Sequence, residues 1–247
     1  MKQQNPVFSQ IEVGTTHYED VDSATYKGIT LKTGFLLLVS VLVAALVVAF
    51  LPTILNNNPT GLYVALVVSS FVGLFAVMFG RLSTKRAKYA GVIYAACQGL
   101  FLGTITALCD AMAPGVATIA IFSTLIIFAT MLVLYATGIL RNGTFFRKLA
   151  YGLSFSVIGV LIFAMLYQLI AGPIQSWGLL IGLEAFLLIY GAVTLIFNFD
   201  EATYVVQSGC TKDAEWSVSL GLCVSILYIY IEALRLAAIV AAYSSDN

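Results

Sequence analysis

Seven long apolar runs dominate this chain of 247 residues and decide what it can fold into. A helix of about 20 apolar residues is long enough to cross the hydrocarbon core of a bilayer. The runs are apolar on all faces and lack amphipathic helices to cover them, which excludes a soluble helical core. We therefore predict an all-α, polytopic membrane protein with seven transmembrane helices. The runs cover residues 34–55, 61–80, 89–109, 115–139, 149–171, 177–199 and 217–243.

Composition supports this prediction and narrows the function. The chain is 60% hydrophobic and 10% charged, whereas soluble domains have roughly 25% charged residues. Its net charge is zero, so nothing favours a nucleic-acid partner. The single histidine is His17, and no two of Cys97, Cys109, Cys210 and Cys223 are three residues apart. We expect no metal site, no cofactor and no enzyme, because no nucleophile–base pair falls within the spans.

The basic residues predict domain organisation and orientation. Residues 1–33 form a polar segment, which we interpret as a cytoplasmic tail before a transmembrane domain at 34–247. The first, third and fifth loops contain no lysine or arginine. Because cytoplasmic loops carry the excess of basic residues, the N-terminus is predicted to be cytoplasmic and the C-terminus external. The basic loops hold Arg81, Lys85, Arg86, Lys88, Arg141, Arg147, Lys148 and Lys212.

The third run carries small residues at every fourth position. These are Gly91, Ala95, Gly99 and Gly103, and they fall on one side of the predicted helix. Small residues at this spacing let a second backbone approach closely. The stripe predicts helix packing; the wall of a pore is the alternative.

Three charged residues are predicted to meet near the external side of the last two spans. From the ~1.5 Å rise per residue, Glu184 lies roughly 10 Å below the outer face, and Glu232 on the antiparallel seventh helix lies roughly 8 Å below it. Arg235 follows Glu232 by three residues and is within reach on the same helix face. Charges inside a membrane span are costly and mark functional or paired positions. We predict an outer polar cluster of Glu184, Glu232 and Arg235.

Asp200 and Arg81 are predicted to share a level at the cytoplasmic side. Asp200 ends the sixth run and Arg81 ends the second. A salt bridge between them would close the bundle on its inner side, and protonation of Asp200 would release it. The alternative is two separate interfacial charges in water.

These residues carry a family resemblance. The segment FNFDEATYVVQSG and the last run through YIYIEALRLAAIV, with GRLSTKRAKYAGVIYAACQGLFLG earlier, resemble the Bax inhibitor-1 family in its bacterial YccA-like branch. The resemblance covers most of residues 34–247. It implies a fold in which six helices surround a central seventh, and a location in the bacterial inner (plasma) membrane.

The resemblance also implies a function. Bacterial relatives act as pH-sensitive calcium leaks, in which two aspartates on the last two helices share a proton and an arginine at the end of the second helix pairs with the first aspartate. Asp200 and Arg81 match the first aspartate and the arginine. Ser225 stands where the second aspartate is expected, which departs from the family pattern. A gate of Asp200, Arg81 and Ser225 is therefore the expectation.

Three functions stay open on the sequence. The first is a calcium or cation leak, since oxygen ligands suit hard cations. The second is a non-conducting regulator of a membrane-bound protease or another membrane protein. The third is a proton-coupled transporter that uses the same acids. The expected surroundings are the lipid bilayer, with calcium ions or protons as the species bound.

Overall fold

A computed structural model of the chain describes residues 23–57, 59–140, 144–172 and 176–246. The predicted tail up to residue 22, with His17, and Arg141 in the fourth loop lie outside the described residues. Within the described residues the chain forms helices and no strand, which confirms the all-α fold. The helices are α1 (Tyr26–Asn57), α2 (Pro59–Leu82), α3 (Thr84–Met112), α4 (Val116–Ala136), α5 (Thr144–Ala171), α6 (Trp177–Gln207) and α7 (Lys212–Asp246).

Six of these helices are long and apolar enough to cross a membrane: α1, α2, α3, α4, α6 and α7. In α5 the described residues include the shorter apolar stretch Phe155–Tyr167. Apolar side chains cover the outside of the bundle, as a surface facing hydrocarbon requires. The protein is therefore a polytopic membrane protein.

The last helix lies at the centre of the bundle. Helix α7 packs against α1, α2, α3, α4 and α6. Its side chains Leu220, Cys223, Ile229 and Leu234 are fully buried. Among the described residues α5 contacts α6 and not α7. The central helix is thus the seventh, as the resemblance implied. Helix α5 lies farther from it than a ring of six surrounding helices would require.

The small residues of α3 bring its backbone against α1. A Cβ atom added at Gly99 would lie 2.5 Å from the Ser40 carbonyl oxygen, and one added at Gly103 would lie 2.7 Å from the Ala44 Cα. Ala95 is fully buried, and Gly91 faces Leu36. The stripe therefore packs α3 closely on α1.

The first helix begins earlier than the apolar run predicted. Helix α1 starts at Tyr26, and Ala24, Ile29 and Thr33 are buried. The Ala24 amide donates a hydrogen bond of 2.7 Å to the Cys210 carbonyl. The packed domain therefore begins before residue 34. The apolar run underestimates it because Lys27 and Lys32 interrupt the apolar sequence, although Lys32 is paired with Glu215 of α7.

The lysine-bearing starts of α1, α3 and α7 lie together at one end of the bundle, which we call the basic end. There the Lys32 and Lys88 ammonium groups lie 5.0 Å and 5.8 Å from the centre of the Trp216 ring. This places the starts of α1, α3 and α7 together. The cytoplasmic orientation of this end stays a prediction.

Candidate functional site

A stripe of polar side chains follows the interface between α6 and α7. Successive residues of an α-helix are about 100° apart, so spacings of three, four, seven and ten residues keep side chains on one face. The two facing rows point toward each other along most of the interface. We call this set the polar stripe; it comprises Glu184, Thr194, Asn198 and Glu201 of α6, and Ser225, Tyr228, Glu232 and Arg235 of α7.

The outer cluster forms the end of the stripe farthest from the basic end. Arg235 Nη2 lies 2.7 Å from Glu184 Oε1, and Arg235 Nη1 lies 3.5 Å from Glu232 Oε2. The glutamate side chains are 2% and 5% exposed, whereas the arginine is 48% exposed. The structure therefore brings these three residues together, with Glu184 as the nearer partner of Arg235.

The two carboxylates are not fully satisfied. Glu184 Oε2 and Glu232 Oε2 are buried and accept no hydrogen bond from the described residues. Two carboxylates and one guanidinium also leave one negative charge when all three are ionised. A buried oxygen without a donor is uncommon in folded proteins and calls for an explanation. Such a pair of oxygens can receive a proton or a cation.

Aromatic hydroxyls continue the stripe toward the basic end. The Tyr228 hydroxyl lies 3.4 Å from the Leu187 carbonyl and is also close to the Glu232 carboxyl. The rings of Tyr190 and Tyr228 pack edge to face, with their centres 6.1 Å apart. They separate the outer cluster from a cavity beyond them.

That cavity, of about 350 Å³, lies at the basic end of the stripe. The Asn198 amide donates hydrogen bonds to Ser225 Oγ at 2.6 Å and to the Thr194 carbonyl at 3.1 Å. Arg81 lines the same space. A Cβ atom at Gly221 would lie 2.6 Å from Asn198 Oδ1, so this close approach needs glycine. The other lining residues are Tyr190, Phe197, Glu201, Val224 and Tyr228.

Asp200 lies outside this cavity, which corrects the predicted gate. Its Oδ1 accepts a hydrogen bond of 2.9 Å from the Tyr135 hydroxyl of α4, which also lies 2.9 Å from Thr203 Oγ1. No ion pair joins Asp200 to Arg81 in this structure, in which both side chains are described. Asp200 follows Asn198 by two residues, or about 200° around the helix, so the two side chains face opposite directions.

Ser225 likewise pairs with a residue that the sequence did not indicate. Its partner is Asn198, not Asp200. The acidic residue that shares the Arg81 cavity is Glu201, three residues after Asn198 and therefore on the same face. Asn198 lies close to the depth of Asp200 but on the opposite face of the helix. A helical wheel of the sixth run, read together with depth, is the sequence signal that indicates it.

A comparison with known families agrees with this architecture. The model of the family described as Bax inhibitor 1 like matches residues 5–242. The chain belongs to the Bax inhibitor 1 like family. No curated protein and no solved structure matches the chain. The match contains every residue of the polar stripe.

This Bax inhibitor 1 like protein has a second buried charge cluster, at the basic end, which sequence reasoning missed. Glu215 Oε2 lies 2.6 Å from Lys32 Nζ, and Glu215 Oε1 accepts hydrogen bonds from the Thr25 amide at 2.7 Å and its hydroxyl at 3.2 Å. Lys32 also donates to the Lys212 carbonyl at 3.0 Å. We call Thr25, Lys32 and Glu215 the strap, because they tie the start of α1 to the start of α7.

The described residues contain no group of three or more histidine, cysteine, aspartate or glutamate side chains that could hold a metal ion. The outer cluster contains two carboxylates, those of Glu184 and Glu232, that could contact a bound cation. Tight divalent sites use six to eight oxygen ligands. Two carboxylates suit a site that a cation or proton enters and leaves.

Proposed function

We propose that this protein is a cation leak, with calcium as the ion to test first, whose path follows the polar stripe between α6 and α7. The observation that carries the proposal is the pair of buried carboxylate oxygens, Glu184 Oε2 and Glu232 Oε2, that accept no hydrogen bond from the described residues. Ionisable residues inside a membrane span mark ion or proton pathways by default. Family membership agrees with a membrane function of this kind and does not distinguish it from regulation.

In this proposal the structure represents the closed state of the leak. At the basic end Arg81 lines the cavity through which a cation would enter the stripe. A guanidinium there repels cations, and the Tyr190–Tyr228 contact narrows the way beyond. Arg81 would thus act as a gate without Asp200, and Asn198 and Ser225 would provide uncharged oxygens along the path.

The same carboxylates favour proton-coupled transport as a second candidate, since an oxygen that accepts no hydrogen bond can also take a proton. Both candidates place the protein in the bacterial inner membrane, with the basic end and the N-terminus in the cytoplasm, because basic loops face that side. Neither candidate is an enzyme. If neither cations nor protons cross the membrane through this protein, the remaining candidate function is regulation of a membrane-bound protease.

Calcium entry into proteoliposomes loaded with an indicator dye tests the proposal. We expect entry with the unchanged protein, and a decrease of roughly tenfold in Glu184→Gln and in Glu232→Gln, which corresponds to about 1.4 kcal/mol of barrier. Arg81→Gln should increase entry because it removes the positive charge from the cavity.

Asp213→Asn is the matched control, since it neutralises an exposed acid on the first turn of α7, away from the stripe. It should leave entry unchanged. A pH gradient that drives accumulation would favour the transporter instead. Absence of entry at every pH, in the unchanged protein and in Arg81→Gln alike, would contradict both candidates and favour the regulator.

A further inference from the structure

The side of the bundle between α1 and α4 is open. No Cα atom of α1 lies within 8 Å of a Cα atom of α4, although both helices pack against α7. Two cavities of about 570 Å³ and 350 Å³ occupy this gap and share the lining residues Leu37, Thr124, Leu125 and Ile226. The two cavities therefore adjoin, and together we call them the lateral groove. Its floor is α7, through Leu222, Ile226, Leu227 and Tyr230.

The walls of the groove offer almost no free polar group. The hydroxyls of Thr33, Ser40 and Thr124 donate to carbonyls four residues earlier in their own helices, at 2.9 Å, 3.2 Å and 2.8 Å. Thr106 and Tyr230 bond to each other at 2.8 Å. The remaining lining side chains are mainly aliphatic and aromatic. A water column or an ion would find few partners here, whereas an alkyl chain would find an apolar channel.

The size of the groove favours a single alkyl chain over a helix. An α-helix is 10–12 Å wide with its side chains, so ten residues of it occupy on the order of 1,000–2,000 Å³. A helix along the whole groove would occupy roughly twice that volume, well above the two cavities together. The groove follows α1 from Tyr26 to Val48, roughly 33 Å of helix. The wider cavity alone follows α1 from Tyr26 to Leu37, roughly 16 Å, which is about half of the ~30 Å hydrocarbon core and so the depth of one leaflet.

The wider cavity lies at the basic end, where Tyr26 and Tyr135 border it. Tyrosines are enriched at the level of lipid head groups. Lys27, next to Tyr26, is exposed and can attract a phosphate. The leaflet on this side therefore has the more direct access to the groove.

We propose that the lateral groove binds one acyl chain of a membrane phospholipid, which enters from the leaflet at the basic end and lies against the central helix α7. Each methylene that leaves the bulk lipid for the groove exchanges one apolar environment for another. Binding therefore depends on van der Waals contact with the walls rather than on hydrophobic transfer. The proposal does not depend on ion conduction by the polar stripe.

Photolabelling in vesicles tests this proposal. The protein is reconstituted with a phospholipid that carries a diazirine on one acyl chain, irradiated, digested and analysed by mass spectrometry. We expect labels on the α7 segment that contains Leu222 and Ile226, which ordinary surrounding lipid reaches only through the groove. Phe155 and Phe163 on the exposed face of α5 report the labelling by surrounding lipid.

A groove-filling variant and its control make the test specific. Gly34 lines the groove, and a Cβ atom added there meets nothing within 4 Å, so Gly34→Phe fills the space without a clash. It should reduce the α7 labels several-fold and leave the α5 labels unchanged. Gly159→Phe is the control, because Gly159 on α5 is equally open and lies outside the groove. Ala45→Phe, in the second cavity, provides an independent block.

Three outcomes would overturn the proposal. The first is an unlabelled α7 in the unchanged protein. The second is α7 labelling that persists in Gly34→Phe and in Ala45→Phe, both folded as judged by their melting curves. The third is a covalent dimer through α1 or α4 when a bifunctional crosslinker is added to the same vesicles, which would identify a second copy of the chain as the occupant.

Discussion

Glu215 and Glu232 are both buried in α7, roughly 25 Å apart along the helix, and their surroundings differ. Glu215 receives three donors, from Lys32 and from the amide and hydroxyl of Thr25, and its charge is balanced by one ammonium. Glu232 shares one guanidinium with Glu184, and each of these two acids has a buried oxygen that accepts no hydrogen bond, although Glu232 Oε2 lies 3.5 Å from Arg235 Nη1. The hydrogen-bonding needs of a buried glutamate are thus met at the basic end of α7 and only partly met at its other end.

The difference separates a structural role from a functional one. A buried charge with all its partners holds two segments in register, and removing one partner is strongly destabilising. A buried charge with a missing partner costs stability and persists where function needs it. On this basis the strap fastens α1 to α7, while the outer cluster is the site to which we assign, as a proposal, the binding of a proton or cation.

The largest expected effect is on the strap. Glu215→Leu leaves Lys32 and the Thr25 amide without their acceptor, and should lower the free energy of unfolding by about 3–5 kcal/mol. Denaturation in detergent micelles, followed by circular dichroism, measures this change. Asp213→Leu replaces an exposed acid two residues earlier and should cost no more than about 0.5 kcal/mol. Equal stability of the two variants would show that the strap is not structural.

A smaller effect is expected at the outer cluster. Arg235→Leu leaves two buried carboxylates without a counter-charge, but Arg235 is 48% exposed, so water already screens part of the interaction. The expected loss is about 1–3 kcal/mol. Because Glu184 is the nearer partner, a double-mutant cycle should give a larger coupling for Glu184 with Arg235 than for Glu232 with Arg235. The reverse order would mean that the arginine prefers its own helix.

The sequence predicted the helical membrane fold and the level of the outer cluster for clear physical reasons. Apolar length decides which segments span a bilayer, and the fixed rise per residue converts sequence position into depth. Glu184 and Glu232 could be matched because they lie on adjacent antiparallel helices. Depth does not give the direction in which a side chain points, and this is why the predicted Asp200–Arg81 pair was wrong.

The strap could not be found in the same way. Lys32 and Glu215 are 183 residues apart, and both lie just outside the apolar runs as the sequence defined them. The unbroken run of apolar residues set the start of the first span at residue 34, whereas the helix begins at Tyr26. The sequence does contain one indication of the strap. Lys32 and Glu215 have opposite charges, and both lie at the predicted cytoplasmic ends of their spans. Only the packing of α1 on α7 shows that they meet.

The smallest expected change in stability is the sharpest test of the comparison. Glu232→Gln and Glu215→Gln are the same isosteric replacement on the same helix. At Glu232 the change should alter the free energy of unfolding by no more than about 1 kcal/mol, because Arg235 keeps Glu184 as its closer partner and Glu232 Oε2 loses no hydrogen bond. At Glu215 the change removes the charge that pairs with Lys32 and should cost clearly more.

The two glutamine variants are compared in the same detergent and at the same pH, by chemical denaturation. Calcium entry is measured in parallel and should fall in Glu232→Gln. If Glu232→Gln destabilises the protein as much as Glu215→Gln, then the outer cluster is also a structural charge network. Its carboxylate oxygens without hydrogen bonds would then be no reason to place a cation path between α6 and α7.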